Sequence, residues 1–264
     1  MRTFIFLVLL FSGSPVAVED RAFYFVIWNV GQGQWATAIL PDHCLHFDMG
    51  GEFFPWKKIA RACRHKENRI HLSHWDWDHI GALARPSRLF NAESFCLALP
   101  PQGKSSRRKE QIVQTYHPCT SDIFNMETVT PTTDTAANKT KTSLHLWRAP
   151  SGLKETNQRS HVLQFHNILI PGDSPFSQEK IWSQQKWVHT SRVLLLGHHG
   201  SQTSTSTFLL DNLPSLKLAI SSARWARYHH PHGLIEHRLR QRKIPLLKTE
   251  DWGSIWLKLT PSRD

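Results

Sequence analysis

Leu72-Ser73-His74-Trp75-Asp76-Trp77-Asp78-His79-Ile80-Gly81 packs four metal-ligating side chains into six residues, directly after the short run Arg69-Ile70-His71-Leu72. A strand that ends in such a ligand-dense loop fixes the backbone from which His74, Asp76, Asp78 and His79 can converge. Imidazole together with carboxylate suits zinc, manganese or iron(II) rather than calcium, which takes oxygen ligands only. Two tryptophans interleave the ligands, so the stretch is not simply a polar surface loop.

Further along the chain, three strand-like runs end in residues of the same kind. Asn167 to Ile170 runs into Pro171-Gly172-Asp173, an acid on a glycine turn that is well placed to bridge two metals. Arg192 to Leu196 delivers Gly197-His198-His199-Gly200-Ser201, where adjacent histidines point in different directions and either can be the ligand. Leu216 to Ser221 leads to Arg224-Trp225-Ala226-Arg227-Tyr228-His229-His230-Pro231-His232, a mixture of cations, aromatics and imidazoles expected of a phosphate- and base-stacking surface.

The first half supplies the frame. Phe23 to Val30 and Trp35 to Leu40 read as a strand pair around Gly31-Gln32-Gly33-Gln34, and Cys44 to Phe47 as a third strand that ends at Asp48-Met49-Gly50-Gly51. Asp48 either orients a ligand histidine or caps the turn. Pro55 to Lys66, Ile80 to Ala84, Phe176 to Trp187, Ser204 to Leu213 and Leu234 to Arg242 have helical spacing. Ser94 to Leu99, Ser143 to Trp147 and His161 to Phe165 read as strands, and Pro245 to Leu259 as two more around Trp252-Gly253. Lys104, Arg107, Arg108 and Lys109 read first as a solvated helix face and second as a phosphate grip. Thr120 to Thr142 reads as a long loop.

With 264 residues, 40% of them hydrophobic, the chain can bury a substantial core. Residues 1–17 have the charged, apolar and small-residue order of a secretory signal, with only eight consecutive apolar residues, too few to span a bilayer. Residues 18–264 are then a single domain with no stable membrane insertion once the signal is removed, located in the periplasm or secreted. Cys44, Cys63, Cys96 and Cys119 form an even set for an oxidising compartment, with three possible pairings. A net charge of +11 favours polyanionic partners, and 17 histidines favour metal binding.

In order, Val30-Gly31-Gln32-Gly33, Phe47-Asp48, the His74-x-Asp76-x-Asp78-His79 loop, Gly172-Asp173, His198-His199-Gly200-Ser201 and His230-Pro231-His232 resemble the metallo-β-lactamase superfamily, above all the metallo-β-lactamase-like domain of the ComEC competence proteins. The resemblance covers about Tyr24 to Leu259. It implies an α/β fold, a four-layer αβ/βα sandwich with mixed sheets and two divalent metal ions (Zn or Mn) at one edge. It also implies that His74 and Asp76 serve one metal, Asp78 and His79 the other, that Asp173 bridges them, and that His198 or His199 completes the second site. His161 is the nearest candidate for a further ligand of the first metal, although the family's motif there has Ser, here Ser160. Asp76 stands where most of the superfamily has histidine. ComEC-type domains usually carry acids where this chain has Asn29 and Gln34.

The implied reaction is in-line hydrolysis of a phosphodiester by metal-activated hydroxide, with Asp78, His198 and His230 in catalytic roles. Trp75, Trp77, Ser201, Arg224, Arg227 and His232 are the candidate substrate contacts, and DNA, single-stranded above all, is the expected substrate. The alternatives are a hydrolase of small phosphoesters, phosphocholine esters or lactones, and a non-catalytic DNA-binding module.

Overall fold

The computed structural model describes residues 23–90, 92–120 and 144–259. The signal at 1–17 and nearly all of the Thr120–Thr142 loop lie outside these residues. Among the described residues, twelve strands form two six-stranded sheets. The first orders β12 (Ile255–Leu259), β1 (Phe23–Ile27), β2 (Ala36–Ile39), β3 (His43–Phe47), β4 (Glu67–His71) and β5 (Phe95–Leu99). The second orders β11 (Leu246–Lys248), β10 (Leu218–Ser221), β9 (Val193–Leu195), β8 (Ile168–Ile170), β7 (Val162–Phe165) and β6 (Leu144–Trp147). Both are mixed: β3, β4 and β5 run parallel, as do β8 to β11, while the remaining neighbours are antiparallel.

Side-chain alternation along the strands builds the layers. Phe23, Phe25 and Ile27 of β1 pack with Phe165, Ile168, Ile170, Leu195 and Ile220 of the second sheet, so one core lies between the sheets. Val26, Ile70 and Leu72 face outward, against Ile59 and Cys63 of α1 (Trp56–Cys63) and Val113 of α3 (Arg107–Gln114). Leu169, Leu194, Leu196 and Ala219 face outward on the other sheet, against Trp182 of α4 (Phe176–Trp182), Leu209 and Leu210 of α5 (Thr207–Asp211), and Ile235 and Leu239 of α7 (Gly233–Gln241). Helix, sheet, sheet, helix: the four-layer αβ/βα sandwich is present.

Two readings change, and the structure assigns the last two strands to their sheets. The ligand stretch is not all loop, because Trp77–Ile80 form a helical turn, α2, continued by a 3-10 turn over Gly81–Ala84. The helix from Phe176 stops at Trp182 rather than Trp187. The two strands after Pro245 do not pair with each other; β11 completes the second sheet and β12 returns to the first, beside β1. The cysteines pair as Cys44–Cys63 and Cys96–Cys119. These links tie α1 to β3, and β5 to the segment after α3. Closing loops of this size restricts the unfolded chain by about 3 kcal/mol each.

Behind β3 lies a buried polar network. Trp28 Nε1 donates to Thr37 Oγ1 (2.8 Å), which lies 2.9 Å from His46 Nδ1, and Trp35 Nε1 donates to the same ring nitrogen (3.2 Å). The Asn68 amide nitrogen donates to Lys66 O (2.8 Å), leaving its oxygen to accept from His46 Nε2 (3.0 Å). His46 is therefore a neutral imidazole with its proton on Nε2. Burial pushes its pKa down to about 4 from 6.5. As pH falls below the unfolded value the unfolded chain takes up the proton first, so stability declines until the folded value is passed. His46 should contribute about 2 kcal/mol of this loss between about pH 6.5 and about pH 4.5. Urea unfolding across that window should show a flatter pH slope for His46→Gln than for the wild type; equal slopes would refute the assignment.

Candidate metal centre

The candidate ligands come from carboxyl ends of parallel strands, where open α/β sheets commonly bind ligands. Asp48 follows β3, Ser73 to His79 follow β4, Asp173 follows β8 and His198-His199 follow β9. Short backbone links lock these loops together across the two sheets. His161 N donates to Ser73 O (3.0 Å), His198 N to Gly172 O (3.0 Å), Met49 N to His79 O (2.7 Å) and Gln34 N to Asp78 O (2.9 Å). Gly172 has φ 56, and a Cβ there would lie 2.9 Å from Ser73 Cβ, so the two ligand loops meet only because this residue has no side chain.

Asp48, His198 and His199 occupy the left-handed region, with φ of 57, 49 and 58. Such backbone is strained for residues with a Cβ and persists where surrounding structure holds it. Here Ser221 Oγ donates to His199 O (2.9 Å), Ser201 N to His198 O (2.8 Å) and Asp48 N to His71 O (2.8 Å).

Hydrogen bonding sets the protons on four imidazoles. Asp48 Oδ2 accepts from His79 Nδ1 (2.8 Å) and from Ser73 Oγ (2.8 Å). With its proton given to Asp48, Ser73 Oγ is an acceptor for His74 Nδ1 (2.9 Å). His199 Nδ1 faces Ser222 O (3.1 Å) and His161 Nδ1 faces Leu72 O (2.9 Å), both of which can only accept. Each ring therefore carries its proton on Nδ1 and leaves a lone pair on Nε2.

Three of these lone pairs converge on carboxylates. His79 Nε2 lies 3.0 Å from Asp173 Oδ1 and 3.2 Å from His199 Nε2. His199 Nε2 lies 3.2 Å from Asp78 Oδ2 and 3.7 Å from Asp173 Oδ1. His74 Nε2 lies 3.7 Å from Asp173 Oδ2 and 3.5 Å from Asp76 Oδ2. Lone pairs facing carboxylates repel unless a second proton or a metal ion stands between them. The donor atoms of His74, His79 and Asp173, and those of Asp78, His79 and His199, each lie within 4.8 Å of one another. The residues fit divalent metal ions, and His74 Nε2 is buried with no hydrogen-bond partner.

Without an ion the same crowding shows in the acid–base balance. Burial disfavours the Asp173 carboxylate, but the imidazoles of His79, His199 and His74 hold its pKa well below the usual carboxylate range. Burial also opposes ionisation of Asp78, and contact with His199 and His79 outweighs it in the same direction. His79 is drawn well up, Asp173 and Asp48 overcoming its burial.

The candidate residues divide. Asp78, His79 and His199 come together, as do His74 and Asp173, and Asp76 sits at their rim. Between the adjacent histidines, His199 faces the ligand cluster, while His198 is half-buried with Nε2 3.6 Å from Asp173 Oδ2. His230 stands behind it, ring centres 6.1 Å apart. His161 Nε2 is buried and unpartnered, yet it belongs to neither ligand group. Trp75 is buried and donates to Gln102 O and Gly103 O, forming a wall rather than an open stacking face. Ser201 Oγ bonds to Thr203 Oγ1, and His232 Nδ1 caps α7 by accepting from Leu234 N, so both hydroxyl and ring are occupied locally. Arg224 pairs with Glu52 (2.8 Å). Trp77 and Arg227 are exposed. Sequence reading missed Ser73 and Ser222, whose oxygens hold the ligand rings; a serine beside a ligand carries no pattern of its own. It also treated Gln34 as a loss, whereas its Nε2 donates to Asp48 Oδ2 (2.7 Å).

No protein-family model matches the chain. It is 25% identical over 94% of its length to Competence protein ComA of Neisseria gonorrhoeae, covering 34% of that protein. It is 25% identical over 70% of its length to ComE operon protein 3 of Bacillus subtilis (strain 168), covering 24% of that protein. The chain thus spans about a third or less of these curated relatives. Among solved structures, it is similar to the metallo-beta-lactamase fold protein YhfI of Bacillus subtilis (TM-score 0.50, 10% identity, 90% of this chain and 100% of that one). It is also similar to a diphosphatase of the PhnP family (TM-score 0.52, 11% identity, 92% of this chain and 100% of that one). At such identity the structural likeness speaks to fold alone.

If Asp48 orients His79, Asp48→Asn should weaken binding of Zn²⁺ or Mn²⁺ about 10- to 100-fold in chelator competition. Unchanged affinity would reduce Asp48 to a turn cap.

Proposed function

From a chain of metallo-β-lactamase fold with sequence similarity to competence proteins, we propose a metal-dependent phosphodiesterase that acts on nucleic acid, single-stranded DNA first. One observation carries the reading: buried Asp173 lies within 3.7 Å of the Nε2 atoms of His74, His79, His198 and His199, with Asp78 against His199. When two divalent ions are bound there, they supply an acidified water and offset the charge that develops on a phosphoryl group.

The chain's own residues do the rest. His74, His79, Asp173, Asp78 and His199 are the proposed ligands, Asp173 lying between the two groups, with Asp76 at the rim of the first and His161 as a further candidate. Asp48, Ser73 and Ser222 keep the ring protons on Nδ1, so the ligand nitrogens always face inward. His198 and His230 line the open side and are the groups that can hand a proton to a leaving oxygen. Trp77, Arg227 and the exposed cations beside them face the solvent from which a polyanion approaches.

The same proposal places the protein outside the cytoplasm, either periplasmic or secreted. The described cysteines are all paired, as expected of an oxidising compartment. Among the described residues no helix is long and apolar enough to cross a membrane.

Labelled single-stranded DNA incubated with Mn²⁺ or Zn²⁺ tests the reading. The wild type should degrade it, and Asp78→Ala should lose at least about a hundredfold in rate, the upper end of what loss of an outer partner costs. Cleavage of bis(p-nitrophenyl) phosphate without cleavage of DNA would move the substrate to small phosphoesters.

A further inference from the structure

The segment read first as a solvated helix face is exposed at Lys104, Arg107 and Arg108, and it is also tied to the loop that carries the candidate ligands. Arg107, Arg108 and Lys109 form the first turn of α3, and Lys104 lies just ahead of them. Positive charge at the start of a helix opposes the helix dipole, and adjacent cations repel one another. Among the described residues no carboxylate forms an ion pair with any of the four, and Glu110, the acid of that turn, instead accepts from Ser105 N (2.8 Å).

Trp77 holds this cluster in place. The Arg108 guanidinium carbon lies 5.6 Å from its ring centre and Lys109 Nζ lies 5.3 Å from it. A ring face attracts cations at such distances. Trp77 sits between Asp76 and Asp78, so the backbone that carries two candidate metal ligands also fixes the two cations. A second tie runs through the loop before α3: Trp75 Nε1 donates to Gln102 O and Gly103 O, and the Arg159 guanidinium donates to Lys104 O. Arg159 itself directly precedes Ser160, whose Oγ accepts from Asp173 N (3.2 Å).

On another side, α6 (Trp225–Tyr228) brings exposed aromatics to the same centre. Trp225 and Tyr228 are more than half exposed, Arg227 lies over the Tyr228 ring at 5.4 Å, and the Tyr228 ring lies 6.0 Å from that of His230. The two surfaces therefore meet the metal centre at Trp77 and at His230.

Resting on the phosphodiesterase reading, we propose that Arg108 and Lys109, positioned by Trp77, bind backbone phosphates of a single-stranded nucleic acid whose bases stack on Trp225 and Tyr228. Alternating phosphate and base chemistry matches cations on one surface and exposed aromatic rings on the other. A duplex keeps its bases stacked inside and would leave the aromatics unused.

The test uses oligothymidylate with phosphorothioate linkages, to resist cleavage, and follows its fluorescence anisotropy across a salt series. For a single strand, log affinity falls with log salt by about 0.7 per phosphate contact, so Arg108→Ala/Lys109→Ala should make the slope shallower by about 1.4. Trp77→Ala should reproduce part of that loss and Trp77→Phe should retain the wild-type slope. Trp225→Ala should weaken binding about 5- to 100-fold with the slope unchanged. An oligouridylate arm separates DNA from RNA, and a duplex of the same sequence should bind more weakly. An unchanged slope in the double variant, or duplex bound as tightly as single strand, overturns the proposal. Wild-type protein that binds no oligonucleotide but hydrolyses bis(p-nitrophenyl) phosphate overturns it too, and leaves the hydrolase reading standing.

Discussion

Asp173 is a carboxylate with almost no access to water, and its neighbours within 3.7 Å are imidazole nitrogens on two other loops. Removing an ionised carboxylate from water is costly, and it is tolerated only where opposite charge or strong donors surround it. The Nδ1 protons of the rings here are committed to Asp48, Ser73 and Ser222, so the compensating charge enters at Nε2, as the second proton that the raised pKa of His79 favours or as a metal ion in its place. That single requirement explains why β4, β8 and β9 end on one side of the sandwich, why backbone strain collects at Asp48, His198 and His199, and why Gly172 carries no side chain.

Much of this was written in the chain as local pattern. The candidate ligands His74, Asp78, His79, Asp173 and His199 each follow an apolar run, and a strand that delivers a side chain to a sheet edge leaves that signature whatever the tertiary setting. The layered fold was legible through the resemblance and the order of strand-like and helical runs, whereas Phe23 to Trp28 is apolar throughout and only the structure sorts Phe23, Phe25 and Ile27 from Val26. Other features have no local signature. Whether His198 or His199 turns inward depends on two successive left-handed residues and on Ser222 of a different loop. Gln34 looked like a missing acid, yet an amide that donates to Asp48 does there what an acid could do only when protonated. The buried Trp75 and the exposed Trp77 are indistinguishable until α3 and its preceding loop are in place.

Within the sandwich, polar groups do two jobs. Around His46 they fill a closed space between tryptophans, each donor matched to an acceptor, and the result is rigidity. Around Asp173 the acceptors outnumber the donors. A fully matched network specifies packing, while an unmatched one stores affinity for whatever ion restores the balance.

The return of the last described strand to the first sheet has a consequence for assembly. β12 runs along the whole of β1, from Phe23 against Leu259 to Ile27 against Ile255, so the earliest described strand finds one neighbour only after the other ten described strands have been made. Pairings so distant in sequence are slow to form because a long loop must close first. The strands that carry the candidate ligands are spoken for earlier, by neighbours nearer in the chain. During synthesis, the edge that carries the candidate ligands would therefore take shape while the opposite flank of its sheet still waits for β12.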